Sequence, residues 1–173
     1  MKYKQMYLFD IKRYDSQASR YIKSFHKYFR KAQNEKNKIL KIYYRFRFKL
    51  IREKHGLEIP YSTTIGKGLY LGHPYNITIN SSSVIGDNVN LHKGVTIGQE
   101  NRGPRKGAPK IGNNVWIGIN STIVGNITIG DDVLIAPNSF VNCDVPSHSI
   151  VLGNPCIIKH KDNATDGYIN NTV

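Results

Sequence analysis

The stretch LGHPYNITINSSSVIGDNVNLHKGVTIG, residues 71–98, brings back an aliphatic residue at every sixth position, with one two-residue slip at Ile77 and Thr78. Outward from it the same period continues. IPYSTT begins at Ile59 and IGKGLY at Ile65; after an interruption at 98–110, IGNNVW begins at Ile111 and is followed by IGINST, IVGNIT, IGDDVL, IAPNSF and, from Val141, VNCDVP. A helix has a period of 3.6 and a half-buried strand a period of two, so neither explains a period of six. Short parallel strands joined by tight corners do, each coil stacked about 4.8 Å from the last. The aliphatic residues then point into a narrow core, while Gly and Asn let the backbone turn the corners.

The first third of the chain reads differently. Of the net charge of +13, residues 1–55 carry all of it, with 17 Lys and Arg against four acids; residues 56–173 hold eight of each. Over 16–53 the apolar residues fall at helical spacing, Ile22, Phe25 and Phe29 in one run and Ile39, Tyr43, Phe46 and Leu50 in another, with NEKN at 34–37 between them. The spacing predicts two amphipathic helices, capped at Asp15 or Ser16 and stopped at Gly56. The chain divides into a basic helical segment at 1–55, a repeat domain at 56–161 with a loop thrown out at 98–110, and a polar tail at 162–173.

Several classes are excluded. The opening MKYKQMYLFD offers an apolar run of four residues, short of the roughly seven to fifteen of a secretory signal, and nothing approaches a membrane span. A cytoplasmic protein is expected. Cys143 and Cys156 sit in aliphatic surroundings and are expected to be buried free thiols. The triplets NST at 120–122 and NIT at 126–128 reflect corner chemistry rather than glycosylation. Gly66, Gly68 and Gly72 have the wrong spacing for a nucleotide loop. No His and carboxylate cluster has metal-ligand spacing, so no metal is expected.

The hexads, the slip after LGHPYN, the interruption before IGNNVWIG and the closing DVPSHSIVLGNPCIIK resemble the hexapeptide-repeat acyltransferases over about residues 40–161. The resemblance is greatest to the serine acetyltransferase-like branch, which includes O-acetyltransferases of bacterial surface polysaccharides. It implies a left-handed parallel β-helix behind the helical segment, three hexads per coil, a homotrimer, and acetyl-CoA lying in the groove between subunits.

Acyl transfer from a thioester to a hydroxyl needs a base, and an imidazole suits neutral pH. His73, in GLYLGHPYNITI, matches the family's catalytic histidine. Glu58, 15 residues earlier and close to one coil away, stands where the family shows the Asp that orients the ring. His92, outward-facing after Leu91, and Arg102 and Arg105 in the loop are candidate acceptor contacts. For acetyl-CoA the resemblance points to Gly98, Ile119 and Pro137 along the groove and to Asn142, Lys159 and His160 at its far end. Trp116 is placed either lining the groove or at a subunit contact, and His148 in a structural corner or near the coenzyme.

Serine-specific members show an acid before the catalytic histidine, an Arg-His pair closing the loop, and a Glu further on. Here those places hold Gly72, Gly107, Ala108 and Ser81. A zwitterionic acceptor needs charged partners. The expectation from the sequence is therefore an acetyl-CoA-dependent O-acetyltransferase acting on a hydroxyl of a saccharide or polysaccharide precursor; the alternatives are a serine O-acetyltransferase and a non-catalytic trimeric scaffold. The basic aromatic segment 1–55 either caps the open end of the β-helix or rests on an anionic membrane surface at its inner face. No nucleic-acid reading motif is present.

Overall fold

The structure, a computed structural model, describes residues 3–173. From Thr64 onward the backbone winds as a left-handed parallel β-helix with three faces. One face stacks β1 (Thr64–Ile65), β4 (Val84–Ile85), β7 (Lys110–Ile111) and β10 (Thr128–Ile129). The second stacks β2 (Tyr70–Gly72), β5 (Asn90–His92), β8 (Val115–Ile117), β11 (Val133–Ile135) and β13 (Ser149–Leu152), closed by the antiparallel β14 (Ile157–His160). The third stacks β3 (Thr78–Ile79), β6 (Thr96–Gly98), β9 (Thr122–Val124) and β12 (Phe140–Val141). The hexad aliphatics meet in register inside: Ile65, Ile85, Ile111 and Ile129 on one face, Ile79, Ile97, Ile123 and Val141 on another. All eight are buried, so apolar burial along these ladders drives the stack.

The two irregularities of the sequence become insertions at corners. An uninterrupted coil takes 18 residues, as between Lys110 and Thr128. Between Val84 and Lys110 there are 26, so the loop at 98–110 adds eight to one coil. The slip adds two: Gly72 pairs with His92 twenty residues on, whereas Thr78 pairs with Thr96 eighteen on.

Corners need left-handed backbone, and seven of the eleven non-glycine residues with positive φ are Asn, the side chain that tolerates it best. Gly118 has another reason. A Cβ there would stand 2.6 Å from the Pro137 nitrogen and 2.9 Å from the Ile135 oxygen, both main-chain atoms of the next coil. Gly118→Ala is expected to lower stability by about 1–3 kcal/mol, as overpacking does, and the melting temperature by several degrees. An unchanged melt would show that the coils can part to admit a methyl group.

Helices α1 (Tyr3–Lys12), α2 (Arg20–Asn34) and α3 (Lys38–Glu53) cover the first coil. α2 buries Ile22, Phe25 and Phe29, as their spacing predicts, but Ser19 supplies its N-cap, its hydroxyl accepting from the Ile22 amide, in place of Asp15 or Ser16. Asn37 caps α3 and Gly56, with φ 62°, ends the helical segment.

On α3 the expected inward face is the wrong one. Ile39, Tyr43, Phe46 and Leu50 are all exposed, Ile39 at 79%, while Phe48 is buried against Phe25 and Phe29, and Tyr44 and Ile51 are half-buried on the same side. α3 carries apolar residues at helical spacing on two sides, and only the row facing α2 finds a partner. None of the described helices is long and apolar enough to cross a membrane. The aromatics Phe25, Phe29 and Phe48 close the open end of the core.

The cap is tied down by charge as well. Arg30, buried, donates to the Ile65 carbonyl at 2.8 Å and the Gly66 carbonyl at 2.5 Å, satisfying acceptors that the first coil has no earlier coil to pair with. Its guanidinium also makes a two-pronged pair with Asp10 at 2.7 and 2.9 Å. Asp10 accepts from the Leu69 amide as well, and His26 lies 3.3 Å away.

The tail does not hang free. Asp132 accepts from the Ala164 and Thr165 amides and the Thr165 hydroxyl, Asn88 pairs with the main chain of Val173, and Arg13 donates to the Asn170 carbonyl. It lies across the second face.

Candidate active site

His73 sits in the two-residue insertion, which the structure places within residues 73–75 rather than at Ile77 and Thr78, where the hexad frame alone puts it. In the stack, Lys93 donates its amide to the Gly72 carbonyl and Gly94 donates to that of Tyr75, so the three residues His73, Pro74 and Tyr75 do what the single Lys93 does one coil later. The extra two residues push the backbone outward. His73 adopts φ 52°, its carbonyl accepts from the Tyr75 amide at 2.7 Å, and its side chain is exposed. A histidine at an ordinary hexad corner would lie flush with its neighbours; the bulge sets this one proud of the wall.

The same corner carries two of the expected coenzyme contacts. Asn120 bonds to the Lys93 carbonyl and Asn138 to that of Ile119, so the His73 bulge, Lys93, Ile119 and Pro137 follow one another down a single edge. Ile119 and Pro137 are both exposed there, an apolar strip below an imidazole. Gly98 and Asn142 form a second column, at the other end of the strands β6 and β12, joined through Val124. Lys159 and His160 lie further on, exposed on β14, with His160 paired to Asp162 at 3.3 Å.

Glu58 bridges to Thr78 by main chain on the third face, and its carboxylate is exposed. It takes no part in the ion pairs of the described residues.

His92 lies directly over Gly72, where any Cβ would run into its ring. The ring also packs against Trp116, centroids 4.6 Å apart, and its Nε2 is buried without a partner. Burial, and then the charge of His73 nearby, pull its pKa down to about 4. His92 is therefore neutral at physiological pH, and it does not oppose a proton arriving on His73.

The loop at 98–110 is an ordered hairpin. Glu100 and Gly107 exchange main-chain bonds at 3.0 Å, Arg105 pairs with Glu100 at 3.2 Å, and the Arg105 carbonyl accepts from Asn126 of the next coil. Arg102 is exposed beside it. Trp116 packs edge-on against Tyr168 of the tail, and His148 bonds to Asp132 at 2.9 Å in a structural corner. Among the described residues no group of three or more His, Cys, Asp or Glu could hold a metal ion.

Two residues that the sequence analysis passed over, His55 and Tyr75, frame the His73 corner. His55, just before the Gly56 stop, is stacked between Tyr21 at 3.5 Å and Tyr75 at 4.5 Å, and its carbonyl accepts from Asn76. They brace the bulge against the helical cap. The two-residue slip was itself the signal, since residues added to a regular coil need support from outside the repeat.

Residues 108–143 match the family described as bacterial transferase hexapeptide (six repeats). Serine acetyltransferase 2 of Arabidopsis thaliana is 39% identical over 125 residues, 72% of this chain and 38% of that protein. A serine acetyltransferase of Staphylococcus aureus (strain Mu50 / ATCC 700699) is 39% identical over 112 residues, 65% of this chain and 53% of that one. The chain thus spans about half or less of the curated relatives it matches. Among solved structures, Neisseria gonorrhoeae serine acetyltransferase in complex with serine superposes with a TM-score of 0.70 at 27% identity, over 91% of this chain and 69% of the other. A serine acetyltransferase in complex with CoA gives 0.62 at 29%, over 80% and 55%.

These likenesses overturn the saccharide acceptor expected from the sequence, and with it the surface-polysaccharide resemblance. That expectation took the missing charged side chains at Gly72, Ser81, Gly107 and Ala108 as the argument against a zwitterionic acceptor. In the structure Gly72 makes room for the His92 ring, and the loop brings its own charged pair, Glu100 and Arg105. The chain is built on the hexapeptide-transferase repeat, and the proteins it resembles in both sequence and structure are serine acetyltransferases.

Proposed function

We propose that the protein is an acetyl-CoA-dependent serine O-acetyltransferase that works as a homotrimer. The observation that carries this reading is the bulge that sets His73 proud of the edge bearing Ile119 and Pro137, in a chain whose relatives are serine acetyltransferases.

His73 takes the proton from the serine hydroxyl as its oxygen attacks the thioester carbonyl, and returns it to the departing thiolate, so that O-acetylserine and CoA leave. Neutral His92 beside it leaves room for that transient positive charge. Glu58 orients the ring from the preceding coil when substrate draws the two together. Ile119 and Pro137 line the donor's path, Gly98 lets it pass close to the wall, and Asn142, Lys159 and His160 meet its far end. Arg102 and Arg105 supply the cations that a carboxylate or phosphate requires.

The test is thiol release from acetyl-CoA by the purified chain with and without L-serine, with O-acetylserine followed by mass spectrometry. Saturable, serine-dependent release is expected. Release no faster with serine than with water would sink the reading.

A further inference from the structure

The two cysteines are free thiols, as expected, but neither is fully buried. Cys143 follows β12 at the end of the third face and is exposed; Cys156 lies in the turn between β13 and β14 and is half-buried. Their sulfurs stand 3.8 Å apart, one side-chain rotation from bonding distance. They lie 13 positions apart in the chain, and the stretch between them contains all of β13. Both thiols are free, and among the described residues each sulfur has only the other as a hydrogen-bond partner.

We propose that Cys143 and Cys156 are a redox-responsive dithiol that closes, on reaction with a small-molecule disulfide, to an intrachain disulfide stapling the C-terminal hairpin to the last coil. This goes beyond the acyl-transfer reading and does not depend on it. The exposed Cys143 thiolate attacks one sulfur of the small disulfide, releasing one small thiol and forming a mixed disulfide. Cys156, within reach and partly shielded, then attacks the Cys143 sulfur and expels the second small thiol. The two protein sulfurs lose two electrons, the small disulfide gains them, and the two protons end on the two small thiols.

The surroundings make the first attack slow. Burial, the neighbouring Cys156 and the Asp144 carboxylate push the Cys143 thiol up, against the pull of Arg105 from the protruding loop. Thiolate is the attacking species, so closure is slow and answers a sustained change in redox poise.

The experiment incubates the full chain with oxidised and reduced glutathione in varied ratio and follows intact mass, peptide mapping without reductant, and melting temperature. The expected product has lost two hydrogens, carries no glutathione, links the peptides bearing Cys143 and Cys156, and melts higher until dithiothreitol reverses it. Cys143→Ser and Cys156→Ser should each stop at a single stable glutathione adduct. Wild-type chain that keeps two free thiols, holds glutathione as a stable adduct, or cross-links to a second chain overturns the proposal. A disulfide that forms without raising the melt overturns the staple.

Discussion

His73→Asn is expected to cut serine-dependent thiol release by about 10²–10⁴-fold while leaving the melting temperature of the chain unchanged. Asn is the informative replacement because His73 holds φ 52°, and Asn is the residue this chain uses at seven of its eleven non-glycine left-handed positions. The substitution removes the base without disturbing the bulge. A change to Ala would place an ordinary side chain in left-handed backbone at a cost of roughly 1 kcal/mol, mixing a folding effect into a kinetic one. The side chain is exposed and no described residue depends on it for a hydrogen bond, so stability has no reason to follow activity. The loss should appear in kcat, since a base acts in the transition state, with KM for acetyl-CoA nearly unchanged. Raising the pH would restore part of the rate as hydroxide takes over the proton. A variant that turns over at the wild-type rate would remove His73 from the chemistry, whatever the acceptor.

The β-helix was legible because one residue in six carries it: the ladders through Ile65, Ile79 and Leu71 are written directly in the period. The place of His73 was not: the period puts the slip at Ile77 and Thr78, the extra residues fall within 73–75, and it was the resemblance that singled out this histidine. What period cannot show is which of two apolar rows on a helix finds a partner. On α3 the row of Ile39, Tyr43, Phe46 and Leu50 looked as good as that of Tyr44, Phe48 and Ile51, and only the position of α2 decides between them. α1 was missed because YKQMYLFDIK has no apolar stripe of its own; it is held by one buried carboxylate, Asp10, whose partners lie 20 and 59 residues away. The acceptor was misread for a related reason. Absent charged side chains at Gly72, Gly107 and Ala108 were given more weight than the cations of the loop, Arg102 and Arg105, which the structure leaves at its surface.

Asp10→Ala is expected to cost about 3–5 kcal/mol, a large share of the stability of a domain this size, because it strands the Arg30 guanidinium in a dry site. Both side chains are essentially inaccessible to solvent. The pair is more than two charges, since Arg30 also bonds the Ile65 and Gly66 carbonyls that the first coil would otherwise leave unpaired. Arg30→Ala should therefore cost at least as much as Asp10→Ala, and the double variant much less than the sum of the two, the shortfall measuring their coupling. Denaturant melts of the four proteins close the cycle. Burial alone would raise the Asp10 carboxyl, but the His26 side chain and the Arg30 charge outweigh it and hold the group below its ordinary value of 3.8. The unfolded chain then binds this proton more readily than the folded one, so Asp10 contributes its full stability above about pH 3.8 and loses it as the pH falls through the folded value. Asp10→Asn, which keeps the shape and drops the charge, should be less stable at neutral pH and show a shallower loss of stability on acidification. Additive single costs, or an acid limb unchanged in Asp10→Asn, would mean that the cap is held by Phe25, Phe29 and Phe48 and that the buried ion pair only fixes how α1 lies on it.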